Sequence, residues 1–210
     1  MGNKTNREQV GRAMRGILTL ALGLALLTPR SAEAQIDRKA ELAAFQTRLD
    51  AYVDMHRRLE GPMPPVQVTK DMDEVHRLMD ALRGRIRAAR GTRGTLITPA
   101  LVTVFQDVIA ATLTLADVVN VSEEIEEHTP PRMARIRANA PLPGNAPFVT
   151  IPPPLLRALP ELPPELRYVA LSGALILWDQ HADLVVDIMP RLFDPLTYSS
   201  KKKLASGPTR

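Results

Sequence analysis

Three stretches carry their larger apolar residues at alternating steps of three and four, and this spacing constrains the fold more than any other feature of the chain. In the first, residues 36–60, the positions are Leu42, Phe45, Leu49, Tyr52, His56 and Leu59. In the second they are Met72, Val75, Met79, Leu82, Ile86 and Ala89. In the third they are Leu101, Phe105, Val108, Thr112, Leu115 and Val119, with Val102, Ile109 and Ala116 beside them. Such spacing puts one apolar stripe on each of three helices and suits helices packed side by side. Local signals agree. Gly61-Pro62 ends the first helix, Asp71 with Glu74 has the spacing of a capping box, and Thr98-Pro99 opens the third helix, which is expected to run to about Glu127. Short connections between matched seams predict an antiparallel three-helix bundle over residues 35–128 and a mainly α fold.

Residues 1–34 stand apart from this pattern. Lys4, Arg7, Arg12 and Arg15 precede an apolar run from Gly16 to Leu27, and Ala32-Glu33-Ala34 supplies small residues for a cut after Ala34. These are the three parts of a secretory signal, and the run is too short for a membrane span, which needs roughly 20 residues. The expectation is a periplasmic or secreted protein with no stable membrane span once the signal is cleaved. Without this segment the chain holds 22 basic and 21 acidic residues, so the formal charge of +4 overstates its basicity. A near-neutral chain lacks the field that drives phosphate binding, and nucleic acid is not expected as a partner. A protein partner is expected instead. The chain has no cysteine, so disulfides and thiol chemistry are excluded.

Composition shifts after the bundle. Residues 130–164 contain 11 prolines, and residues 129–164 read as an extended, Pro-rich connector. Leu166–Leu171 and Ala174–Trp178 then read as two strands joined by a two-residue turn at Ser172-Gly173. Asp179 is placed to cap a short helix in which Leu184, Ile188 and Leu192 step by four; a third strand at residues 184–188 is the alternative. The piece 165–194 is thus a β-hairpin plus short helix, and residues 195–210 are expected to be a disordered tail.

The pattern Leu162-Pro-Pro-Glu-Leu-Arg-Tyr168, then Gly173, Leu175, Leu177, Asp179, Ala182 and Leu184-Val-Val-Asp187, resembles the ending of a family of uncharacterised exported bacterial proteins. Ala51 to Pro65 is similar to that family's first helix and Pro connector. The resemblance implies export and this architecture, and carries no activity. The hairpin alone is more distantly similar to the terminal module of periplasmic proteins linked to nickel and cobalt homeostasis, although the chain has no His-rich tract.

No Gly-x-Ser-x-Gly, Walker loop or HExxH motif is present, no cofactor motif is found, and no catalytic residue is nominated. Ligand chemistry is thin but present. Glu123 to Glu127 with His128 forms an acidic helix end beside an imidazole, and Asp179, His181, Asp183 and Asp187 fall within nine residues. The candidate metal ligands are Glu124, Glu127, His128, His181 and Asp183. The plainer readings are a solvated helix end for the first group and a cap plus an Asp187–Arg191 pair for the second. His56 lies on an apolar seam and reads as a hydrogen-bonded core histidine. The expectation is a non-catalytic interaction or structural protein, with a periplasmic divalent-metal-binding protein as the alternative.

Overall fold

The computed structural model describes residues 37–64, 71–91, 96–130, 135–147 and 149–205. The expected signal at 1–34 lies outside them, as do residues 206–210. The described part is mainly helical, with six helices and one small antiparallel sheet among the described residues.

Helix α1 (Arg38–Glu60) starts where the Asp37 carboxylate accepts the N–H groups of Lys39 and Ala40. It buries Phe45, Leu49, Tyr52 and His56 of the expected seam, with Val53 beside them, while Leu42 and Leu59 at the two ends are partly buried. Helix α2 (Met72–Arg90) is capped by Asp71, but only Leu82 and Ile86 of its seam are buried. The stripe is continuous, yet its N-terminal half runs out of the core, and Met72 is 57% exposed. Helix α1 packs on both α2 and α3 (Pro99–Thr112).

The third expected helix is two helices. Leu113 and Thr114 are extended, and Thr114 opens α4 (Leu115–His128) through a capping box with Asp117. The axes of α3 and α4 differ by 115°. The reciprocal Thr114–Asp117 bonds satisfy the orphan N–H groups of a new helix start, and this outweighs the continuous apolar stripe. Leu113 is buried at the bend while Leu115 is exposed. Among the described residues no single helix is long and apolar enough to cross a membrane; α3 and α4 reach that length and composition only as this bent pair.

The C-terminal piece corrects two expectations. Strands β1 (Leu166–Leu171), β2 (Ala174–Asp179) and β3 (Leu184–Met189) form an antiparallel sheet in that order, so the expected short helix is a third strand. The steps of four arose because the strand is buried on both faces. Leu184 and Val186 join the main core, while Val185 joins a second cluster with Val169, Leu171 and Ile176. Burial on both faces removes the alternation that marks a half-exposed strand. The tail is not structureless either. Asp194 caps Pro195–Ala205, helix α6, after the short α5 (Pro153–Ala158), and Tyr198 donates to the Leu113 carbonyl.

The Pro-rich connector is not extended throughout: α5 forms within it, with prolines at its first positions, where a missing N–H is tolerated. Ahead of α5 the connector is pinned to the sheet. Asn139 N–H donates to the Val185 carbonyl and Val185 N–H donates to that of Ala140, while Val149 bridges Ala170. Ile136, Leu142 and Ala146 cover the second face. The connector therefore shields sheet edges that would otherwise be open.

The β1–β2 turn is the expected two-residue one, with φ of 51° at Ser172 and 71° at Gly173. Both central residues are left-handed, as a type I′ turn demands. A Cβ at Gly173 would meet no atom within 4 Å, so the penalty for a side chain there is backbone strain alone. Gly173→Val is expected to cost about 1–3 kcal/mol in chemical denaturation and to shift the emission of Trp178. An unchanged midpoint would mean that the turn does not set the strand register.

Candidate functional site

Helix periodicity lines up Tyr52, His56 and Glu60 at steps of four on one side of α1. Tyr52 and His56 are buried, and Glu60 sits half-exposed at the helix end. Opposite them, β2 ends at Asp179, whose side chain is 0% exposed. Its Oδ1 accepts the N–H groups of His181 and Ala182, both at 3.0 Å, which fixes the β2–β3 turn. Its Oδ2 accepts the Tyr52 hydroxyl at 2.6 Å and His56 Nδ1 at 2.7 Å. One carboxylate thus ties α1 to the sheet.

The imidazole of His56 then faces a second carboxylate. Nε2 lies 3.0 Å from Glu60 Oε2, and the other oxygen, Oε1, lies 3.0 Å from His181 Nδ1. The two imidazole centroids are 5.5 Å apart. An ionised Asp179 only accepts, so His56 Nδ1 carries a hydrogen. A neutral ring would then aim the Nε2 lone pair at a carboxylate oxygen. That contact is favourable only with a cation between them, either a proton or a metal ion. Burial alone would lower the basicity of His56, but the Asp179 and Glu60 carboxylates outweigh it and raise its pKa. Burial first, and then the charge of Asp179, pushes the Tyr52 phenol far up, so it stays a donor.

Among the described residues, the one group of three or more His, Asp or Glu side chains close enough to share an ion is His56, Glu60 and His181. Their ligand atoms all lie within 4.8 Å of one another. Donors on a tetrahedral zinc ion sit about 3.4 Å apart, given bonds of about 2.0–2.1 Å, so this set needs little adjustment. Asp179 on the far nitrogen of His56 is the outer carboxylate that typically orients a metal-binding imidazole.

Of the ligands nominated from the sequence, His181 alone falls in this cluster. Asp183 is taken up structurally: it accepts from Arg83, from Trp178 Nε1 and from the Leu142 N–H. His128 is exposed at the end of α4, with Nδ1 against the Glu124 carbonyl of its own helix, and Glu124 and Glu127 are exposed. The Asp187–Arg191 pair is not formed; Asp187 instead accepts the N–H groups of Leu96 and Ile97. His56 is buried and hydrogen-bonded as expected, but its partners make it a ligand candidate as well. Glu60 was missed. Its signal is His56-x-x-x-Glu60, one turn apart on one helix face.

Beside the cluster, Arg57 Nε donates to Glu165 Oε1 at 2.6 Å. Burial opposes the charge on Glu165, but the Arg57 guanidinium wins and holds its pKa below the ordinary value. A depressed carboxyl pKa contributes stability that is complete above the unfolded value, about 4.3, and is lost as pH falls through the folded value. The denaturation midpoint is therefore expected to drop on acidification from pH 5, with Glu165→Gln flattening that limb. Superimposable acid limbs for the two proteins would contradict this.

Comparisons of the chain with protein-family models, with curated proteins and with solved structures give no match.

Proposed function

We propose that the protein binds a divalent transition-metal ion, zinc in class, through His56 Nε2, a Glu60 oxygen and His181 Nδ1. The observation that carries this reading is the sharing of one carboxylate by two imidazole nitrogens, each at 3.0 Å, with Asp179 holding the far side of His56. Two nitrogens and one oxygen suit zinc, and also nickel and cobalt. Uptake replaces the proton on His56 Nε2, so binding releases protons. In this reading α1, α2 and α3 serve as the antiparallel bundle that the seams call for, and the sheet is the cap that delivers His181 to α1. The place of action is the periplasm or the exterior. That part rests on the basic, apolar and small-residue pattern of residues 1–34, and it calls for a mature chain beginning at Gln35 on N-terminal sequencing.

A second reading, a non-catalytic interaction or structural protein, is favoured by the apolar stripe of α2 that the core leaves half-covered. Calorimetric titration with zinc separates the two. The metal reading expects one ion per chain, at least tenfold weaker binding in Glu60→Gln and His181→Ala, and no change in His76→Ala or His128→Ala. Absence of binding, or equal affinity in all four variants, would sink it.

A further inference from the structure

Glu60 and His181 form the polar end of a groove of about 590 Å³ between the exit of α1, the first half of α2 and the β2–β3 turn. Its walls are Met63, Val75, Leu78, Met79 and Leu82. The four α2 positions recur at helical spacing, and only Leu82 is fully buried. A cavity of this size with apolar walls and few convergent polar groups has the form of a small-molecule site. Three protein ligands leave a metal ion one open position. His56 is enclosed by the core, whereas Glu60 and His181 line the groove, so the groove is the side from which a fourth donor arrives.

Charge narrows the occupant. Among the described residues lining the groove there is no Lys or Arg. Without a metal ion, the Glu60 carboxylate at the polar end already engages His56 Nε2 and His181 Nδ1 and repels an incoming anion. With one, the ion and its direct ligands, two neutral imidazoles and the Glu60 carboxylate, carry a net positive charge. Asp179 offsets it only from behind His56, on the side away from the groove, so the open position facing the groove takes an anionic oxygen donor. From Val75 to Leu82 the wall rises about 10 Å, which suits a chain of roughly eight to ten carbons. Resting on the metal reading above, we infer that the groove takes a medium-chain monocarboxylate, its head group on the ion and its chain along α2.

The test is calorimetry of the full chain, first with zinc, then with decanoate added to zinc-loaded and metal-free protein. Acetate supplies the head group without the chain, and decanol the chain without the donor. Decanoate is expected to bind the loaded protein at least tenfold more tightly than it binds the metal-free protein, and at least tenfold more tightly than acetate or decanol binds the loaded form. Val75→Trp, which fills the groove, should lower decanoate affinity about tenfold with zinc affinity unchanged; retained zinc binding reports that the variant is folded. Zinc binding normally while decanoate binds equally with and without it, or no better than decanol, would overturn the inference and leave the metal site standing. Failure of the first zinc titration would overturn both.

Discussion

Asp179→Ala is expected to lower the unfolding free energy by about 3–5 kcal/mol, the scale for removing one partner of a buried, charged hydrogen-bonded pair. The side chain is fully buried and accepts from Tyr52, His56 and two backbone N–H groups. Truncation strands the Tyr52 hydroxyl and the His56 Nδ1–H in the interior, and each unmet donor carries its own desolvation cost. It also frees the β2–β3 turn, because His181 and Ala182 lose the oxygen that fixes them. Chemical denaturation gives the energy. Zinc titration gives the second consequence, an affinity loss of about 10–100-fold through loss of the carboxylate that orients His56. A variant as stable as wild type would show that the four bonds do not hold α1 to the sheet.

Phe105→Ala is expected to cost about 3–5 kcal/mol, through lost transfer energy and the cavity left behind. Phe105 is 0% exposed and stands edge-on to Phe45 at 6.0 Å and to Tyr168 at 6.2 Å. It therefore joins α1, α3 and the sheet in one packing unit. Arg87→Ala, on the exposed side of α2, should change stability by less than about 0.5 kcal/mol. Equal midpoints for these two variants would contradict a core centred on α3.

The sequence makes α1 legible because the 3–4 seam and the Gly61-Pro62 stop agree, and the Asp37 cap that the structure adds points the same way. The Ser172-Gly173 turn is legible for the same reason, since turn chemistry and strand pattern coincide. Where signals compete, the apolar stripe misleads. It runs through the Thr114–Asp117 cap and hides the α3–α4 bend. In β3, burial on both faces imitates a helical period. The tail carried an unread signal, Asp194 before Pro195, which is a cap followed by the residue best tolerated at a helix start.

The site divides in the same way. His56 and Glu60 are local, one turn apart, and a search for His-Glu as well as His-His spacing finds them. His181 meets them from 121 residues further along the chain. Its neighbour Asp183 has an equally plausible sequence context, yet folding spends it on Arg83 and Trp178. Composition and spacing carry no information on which of the two will face α1; the β2–β3 turn decides it.

The most direct test of the metal centre is anomalous diffraction at the zinc edge from crystals of the protein grown with zinc. A single strong peak is expected about 2.0–2.2 Å from His56 Nε2, His181 Nδ1 and a Glu60 oxygen, with Asp179 still bonded to His56 Nδ1. Peaks confined to surface groups such as His76 or His128, with none among these three residues, would contradict it.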